Sequence, residues 1–473
     1  MNPGLRLSNV ALLGLAQAMG DFSPPDSANL VFWGRADSVA GNDGDAIGSF
    51  TDLSGKGNHA TASTTHRPTL KKNIVNTSHS VLRFDGTGND MLWPDLFGGA
   101  TSGEVFIVLK AAAEPSGSNK HSLWYLAQAG GVGEAAHPFT NSLLFEHFGS
   151  SAQVAAFTKP STSAAFHLYG VETSANKMVI RWNGDIIWGQ NKITTTGFPS
   201  APRLSRNNGA SAVWDGDIAE ILIYKTVLSA ANKKLVQDYL AARYGLTAAD
   251  PSAVITPASY ASGFSGWWKA DQIGGLNDGD AVASWSDQSG NGRTLTQATG
   301  SLKPIYKTNI FNGLPVVRFD GVDDYLGLAA SHNLAGVTFM AVFKQNTGFD
   351  NARIFAENGD NQTKVRRGGA NAMNFYAGSG TEVVSGTGWN YPTLDTLKFY
   401  VWRRNADNTI TFFQNGVERD TPGSTTNTTY PFNKIGVVFG GDMCELCYWS
   451  TQLNDYDIAK LYYQYFRDKW GLP

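Results

Sequence analysis

A chain of 473 residues is too long for one ordinary core and suggests two or three domains. Gly at 52 residues, aromatics at 12% and charged residues at 16% describe a turn-rich, aromatic-rich chain and exclude a helical bundle or a disordered polymer. The net charge of -3 comes without any run of Lys or Arg, so nothing points to a nucleic-acid or anionic-membrane partner, and no apolar run approaches the ~20 residues of a membrane span.

In chain order, residues 1–26 read as an N-terminal arm. Arg6 precedes a short apolar stretch at 10–15, and Ala16-Gln17-Ala18 imitates a cleavage site. The stretch is shorter than the ~7–15 residues of an export signal, which favours a retained arm over a secreted chain. Two similar domains follow, 27–246 and 262–473, joined by a Pro/Ala/Ser-containing linker at 247–261. Duplication is read from a constant offset: Trp33 aligns with Trp268, the NDGD run at 42–45 with that at 277–280, Asp52 with Asp287, and Arg83-Phe84-Asp85-Gly86 with Arg318-Phe319-Asp320-Gly321. Toward the ends of the copies GDIAEILIY, starting at Gly216, matches GDMCELCYW, starting at Gly441.

Within each copy, runs such as EVFIVLK, KMVIRWN, TFMAVFK and TITFFQN are separated by Gly, Asn, Asp and Pro turns, the pattern of an antiparallel sandwich. A helix closes each copy. Ser229 caps the first, Leu235, Val236, Tyr239 and Leu240 form its apolar face, Arg243 suits the C-terminal dipole and Gly245 stops it. Asn454 caps the second, Ile458, Leu461, Tyr462, Tyr465 and Phe466 form its face, Lys469 sits in the last turn and Gly471 ends it. Cys444 and Cys447 are three apart on a strand, roughly 10 Å, beyond the ~7 Å reach of a disulfide, and read as buried free thiols.

The runs GWWKADQIGGLNDGDAVASWSDQSGNGRTLTQ, LPVVRFDGVDDYL and GDMCELCYWSTQLNDYDIAKLYYQYFRDKWGL, with looser versions in the first copy, resemble the bacterial and phage branch of the laminin-G-like, concanavalin A-like lectin/glucanase superfamily. The resemblance implies an all-β fold of two tandem jelly-roll sandwiches, each with a covering C-terminal helix. Roles in that superfamily include sugar binding, protein contact, adhesion and glycan cleavage, so fold alone selects none of them. Tandem copies without an export signal also look like virion proteins of tailed bacteriophages. The expected setting is then a virion assembled in the host cytoplasm, with capsid, neck or tail proteins and a host-surface glycan as partners, and a homo-oligomeric state. A secreted carbohydrate-binding adhesin is the alternative setting.

Three chemistries compete for the conspicuous side chains. A sandwich-type glycosidase needs two carboxylates about 5–5.5 Å apart. Asp215-Gly-Asp217-Ile-Ala-Glu220 approximates that spacing, but the second copy has Gly440 in the first place, before Asp442 and Glu445; a structural hydrogen bond or ion pair is the simpler reading, and the chain reads as a non-enzyme. Asp43, Asp45 and Asp52, with Asp278, Asp280 and Asp287, offer oxygens to a possible calcium ion; Asp323 and Asp324 are further options. Asx turns are the competing account of the same residues, and no cofactor is required. Trp93, Trp188 and Trp389 lie in Gly/Pro/Asn-rich surroundings and are candidates for stacking on a glycan, whereas Trp33, Trp268 and Trp285 read as core.

Overall fold

The computed structural model describes residues 22–473 apart from 116–121, 127–134, 141, 151–154, 176, 192–195, 208–212, 335, 347–351, 358–363, 368–372, 377–382, 385–394 and 425–429. Most of the N-terminal arm lies outside the described residues. The chain divides into two compact units, Met1–Ala253 and Val254–Pro473.

In the first unit the longest strand, Asp215–Tyr224, lies between Gly103–Ala111 on one side and, on the other, His79–Asp85 followed by Leu30–Arg35. Beyond His79–Asp85 lies Thr69–Val75; beyond Gly103–Ala111 lie His167–Ser174, Lys177–Trp182 and Asp185–Asn191. The second unit repeats this order place for place: Ile305–Phe311, Leu314–Asp320, Gly440–Trp449, Val337–Gln345, Lys398–Arg404, Thr409–Gln414 and Val417–Ser424, with Phe264–Lys269 paired to Gly440–Trp449. Each unit has a second antiparallel sheet, made of short strands in the first unit and including the nine-residue strand Leu326–Leu334 in the second. In the second unit the two sheets meet through aromatic rings, Phe339 of one lying 4.4 Å from Phe355 and 5.4 Å from Phe432 of the other, centroid to centroid. Such pairs contribute about 0.5–1.5 kcal/mol each beyond area burial.

Register corrects one sequence alignment. Trp33 pairs with Leu222, and Trp267, not Trp268, pairs with Cys447 at the corresponding place on its own long strand. The main-chain N–H of Trp33 donates to Asp52 at 3.0 Å and that of Trp267 to Asp287 at 2.9 Å. The second copy carries one extra residue in the loop between Ala270-Asp271 and Asn277, which shifts everything upstream of it. Phe32 therefore corresponds to Gly266 and Gly34 to Trp268. One aromatic fills this patch of core in both units, but from adjacent same-face positions. A Cβ on Gly34 would come within 2.7 Å of the Phe50 ring, and one on Gly266 would run into the Tyr448 ring and come within 2.8 Å of the Trp268 indole.

The closing helix Ala230–Tyr244 begins at Ser229, whose hydroxyl accepts from the Asn232 N–H at 3.2 Å, and ends at Gly245, φ 64°. Its buried face is Lys233, Val236, Gln237, Leu240, Ala241 and Tyr244, with Tyr239 beside it. Leu235, expected on that face, is 55% exposed, because the i, i+3, i+4 row set by Lys233 and Val236 turns it to solvent. Phe22 stacks on Tyr239 with ring centroids 3.7 Å apart. In the second unit Asn454 caps Asp455–Leu461, which continues through a π-helical turn, Tyr462–Phe466, and Arg467–Trp470 to Gly471, φ 67°. Cys444 and Cys447 are buried free thiols on the long strand, and burial pushes both well above the usual thiol range.

Gly266→Ala is expected to cost roughly 1–3 kcal/mol by overpacking against Tyr448 and Trp268. Urea unfolding of the second unit reads this directly, and an unchanged midpoint would contradict the packing described.

Candidate functional site

The six aspartates considered for calcium are held by the fold's own donors. Asp52 accepts from the N–H groups of Trp33, Ser54 and Asn58 and from the Ser54 hydroxyl, at 2.8 to 3.0 Å. Asp287 accepts from Trp267, Ser289 and Arg293 N–H and from the Ser289 hydroxyl at 2.8 to 2.9 Å. Asp45 and Asp280 reach back to accept from the N–H groups of Asn42 and Asn277, both at 2.7 Å, and so close the NDGD turns, while Asp52 and Asp287 form Asx turns on the N–H groups of Ser54 and Ser289. Asp43 takes Lys71 Nζ and the Lys72 N–H at 2.8 Å, which hold its carboxyl below the usual range; Asp278 pairs in the same way with Lys307 and the Thr308 N–H. Turn geometry uses these oxygens. Among the described residues, the carboxylates that converge within 4.8 Å are instead Asp320, Asp323 and Asp324.

Glu220, the acid proposed for glycan cleavage, is fully buried beneath the closing helix. It accepts from Trp33 Nε1 at 2.6 Å, from Tyr239 OH at 3.0 Å and from Tyr244 OH at 2.8 Å, with Arg243 Nε 3.7 Å away. Burial raises its pKa against those stabilising donors. Glu445 makes the same set: Trp267 Nε1 at 2.5 Å, Tyr465 OH at 2.9 Å, Trp470 Nε1 at 2.9 Å and Lys469 Nζ at 2.7 Å. Asp217 forms a two-point ion pair with Arg83, 2.6 and 2.8 Å, matched by Asp442 with Arg318 at 2.6 and 3.0 Å. These repeated acids are spent on holding sheet and helix together.

The tryptophans divide. Trp93 is 3% exposed and packs edge-on against Phe32, 5.3 Å between centroids, so its ring offers no face to a sugar; the apolar interior outweighed its Pro- and Gly-rich flanks. Trp188 is half-buried and stacks on Phe157 at 5.8 Å. Trp389 lies outside the described residues. Trp268 and Trp285 are fully buried, and Trp33 is half-buried.

One place where the two units differ is an end of the long strand of the second unit, where a cleft of about 460 Å³ opens. Register fixes the correspondences. Gly440 faces Asp320 as Asp215 faces Asp85, so glycine replaces a carboxylate side chain. Ile305 faces Arg318 as Thr69 faces Arg83. The Asn346 N–H donates to Gly440 O as the Ala112 N–H does to Asp215 O. Asp324 accepts from the Asp320 N–H at 2.9 Å as Asn89 accepts from the Asp85 N–H at 3.0 Å. Asn89 also donates its amide to Arg67 O at 3.0 Å and so ties two loops together; an ionised Asp324 has no proton to give to the equivalent loop at Lys303. Burial, reinforced by the charges of Asp320 and Asp323, pushes the Asp324 carboxyl up to about 6. Sequence reading passed over this cleft, because its signal is a missing side chain at Gly440 beside residues distant in the chain.

Removing either latch acid, Glu220→Ala or Glu445→Ala, is expected to destabilise its unit by about 3–5 kcal/mol, since cations and donors are left unpaired beneath the helix; denaturant titration of each variant measures it. Calcium addition is expected to leave the unfolding midpoint of the first unit unchanged, because donors of the fold already hold each of Asp43, Asp45 and Asp52; a calcium-dependent rise would contradict this.

No protein-family model and no curated protein matches the chain. Solved structures do match. Domain 4 of a GH43 extracellular arabinanase from Geobacillus stearothermophilus, in complex with arabinotriose, is similar over 42% of this chain and 98% of that one at 15% identity, with a TM-score of 0.32. The ligand-binding domain of botulinum neurotoxin serotype D, in complex with N-acetylneuraminic acid, covers 91% of this chain and 97% of its own at 8% identity, TM-score 0.32. An arabinofuranosidase complexed with arabinofuranosyl-alpha-1,2-xylobiose covers 65% and 76% at 13% identity, TM-score 0.32. A likeness this loose assigns no ligand to this chain.

Proposed function

We propose that the chain is a non-catalytic, lectin-like binding protein that engages a glycan through the cleft of its second unit. The observation that carries the reading is the contrast between the units: strand order, Asx turns, ion pair and helix latch are repeated, whereas the side chains around the cleft are exchanged. A fold kept constant while one concave rim changes is what a binding site grafted on a scaffold requires. Glu220 and Glu445, sealed under helices and saturated with donors, support the non-catalytic part of the reading. The finer assignment is a pair of jelly-roll domains on a decoration or appendage protein of a tailed-phage virion, in contact with neighbouring virion proteins and a host-surface glycan. It rests on the sequence resemblance, and it needs no cofactor.

Gly440→Asp restores the residue that the first unit carries at this place and is therefore compatible with the backbone. It is expected to fill the cleft and lower glycan-array binding by at least about tenfold while the second unit still unfolds in a single cooperative transition. Wild-type array binding by the variant would overturn the assignment of the site.

A further inference from the structure

The first unit carries a pair of histidines that neither the helix latch nor the cleft uses. His137 directly follows Ala135–Ala136 in the sheet of short strands, and His167 opens the main-sheet strand His167–Ser174. Their side chains meet between the two sheets with Nε2 2.8 Å from Nε2, and the residues are 1% and 2% exposed. His167 stacks on Trp182 with ring centroids 3.6 Å apart, and His137 packs against Tyr169 at 4.5 Å. The Trp214 indole N–H donates to the His137 carbonyl at 2.6 Å, which pins the main chain behind the pair.

The partners fix where the protons of this pair sit. Ala165 O, 2.8 Å from His167 Nδ1, can only accept, so that nitrogen carries the hydrogen and His167 Nε2 is left as an acceptor. His137 Nε2 must then donate to it. Its own Nδ1 is left a bare acceptor, buried without a hydrogen-bond partner among the described residues. Two neutral rings therefore share one hydrogen bond, and a further proton has no favourable place. On His167 Nε2 it sets two N–H groups face to face; on His137 Nδ1 it makes a buried cation with no acceptor. The charged neighbours do not rescue either form. Lys159, paired with Glu114 at 2.9 Å, opposes a proton on both rings, and Glu114 favours one only on His167. Glu146, held by Tyr169 OH at 3.0 Å and the Trp124 indole at 3.1 Å, is pushed up to about 7 by its own burial and so is neutral in mild acid. Burial holds His137 well below the usual imidazole range and His167 at about 4.

We propose that His137 and His167 form an acid-release clasp between the two sheets of the first unit, closed while both rings are neutral and opened in mild acid by protons that the closed form cannot hold. Imidazoles held below the unfolded value of ~6.5 contribute stability above that pH, and it is lost as the pH falls, because the unfolded chain takes up protons that the folded one refuses. Glu146 acts in the opposite sense between its ordinary 4.5 and about 7, one proton against two. The second unit is built without the clasp. Register places Lys398 and Gln414 where the first unit has His167 and Trp182, and His332 is the second unit's single histidine. Mild acid therefore opens one member of a duplicated pair and leaves the other folded.

Hydrogen exchange of the full chain, read by mass spectrometry on peptides spanning His167–Ser174 and Lys398–Arg404 and corrected for intrinsic exchange rates, tests this. The comparison is with His137→Phe/His167→Phe, whose rings still stack on Trp182 but cannot titrate. Between about pH 7 and about pH 5, protection of the first-unit peptide is expected to fall at least about thirtyfold more in the wild type than in the variant. The second-unit peptide is expected to behave alike in both proteins. Equal losses of first-unit protection in wild type and variant would overturn the proposal. A second measurement does not need the variant to fold. In imidazole nitrogen NMR of the wild type at about pH 5.5, the folded protein is expected to show neutral rings, His137 as the Nε2–H and His167 as the Nδ1–H tautomer. An imidazolium on either ring, with the amides of His167–Ser174 still protected, would also overturn it.

Discussion

A single buried glutamate in each unit, Glu220 or Glu445, is the constraint on which the rest of the architecture depends. Each sits on the longest strand of its sheet and gathers an indole N–H from the first strand and phenol or indole donors from the closing helix. Three chain segments far apart in sequence are thereby fixed to one point. The details vary without changing the scheme: Tyr244 OH in one unit is replaced by Trp470 Nε1 in the other, and Arg243 by Lys469, whose ammonium also bridges to Asp271 at 2.9 Å. Arg243 reaches Asp37, the equivalent of Asp271, at 2.6 Å.

The latch matters because the closing helix of the first unit is only weakly one-sided. Lys233 and Gln237 are buried in it while Leu235 is exposed. Lys233 is admitted to the interior because its ammonium meets Glu104 at 3.1 Å and Glu172 at 2.9 Å, and burial of such a group is tolerable only when charge and hydrogen bonds are both supplied. A bulge between Ile218 and Glu220 against the neighbouring strand Gly103–Ala111 re-aims the long strand at this point, and the second unit has its register shift at the same place. Arg83 lies two residues from Val81, a member of the core under the helix, so Asp217 and Glu220 serve the same face of the sheet. That arrangement gives Asp-x-x-Glu spacing a purely structural use and explains why it imitates a hydrolase motif.

Much of this was legible in the sequence, for reasons that are local. Ser229 and Asn454 announce helix starts because their side chains accept from N–H groups three residues on; Gly245 and Gly471 announce helix ends because left-handed backbone follows. The repeats declared duplication. What local pattern could not supply were long-range exchanges. The Trp33–Trp268 match is attractive by spacing, yet strand register selects Trp267, since an inserted loop residue and the crossed exchange of Phe32/Gly34 for Gly266/Trp268 conserve the core rather than the alignment. Trp93 misled for the same reason: its neighbours in the chain are turn formers, but its neighbour in space is Phe32. The cleft was hidden because Gly440, Ile305, Asn346 and Asp324 acquire meaning only when set beside Asp215, Thr69, Ala112 and Asn89.

The central claim is that the glutamate latch is part of the cooperative core of each unit. Hydrogen exchange of the Trp33 and Trp267 indole N–H groups, followed by NMR, tests it most directly. The account predicts that both exchange only with global unfolding of their own unit, with the free energy obtained from denaturant titration. Exchange at the rate of a solvent-exposed indole, while the surrounding strand amides stay protected, would contradict it.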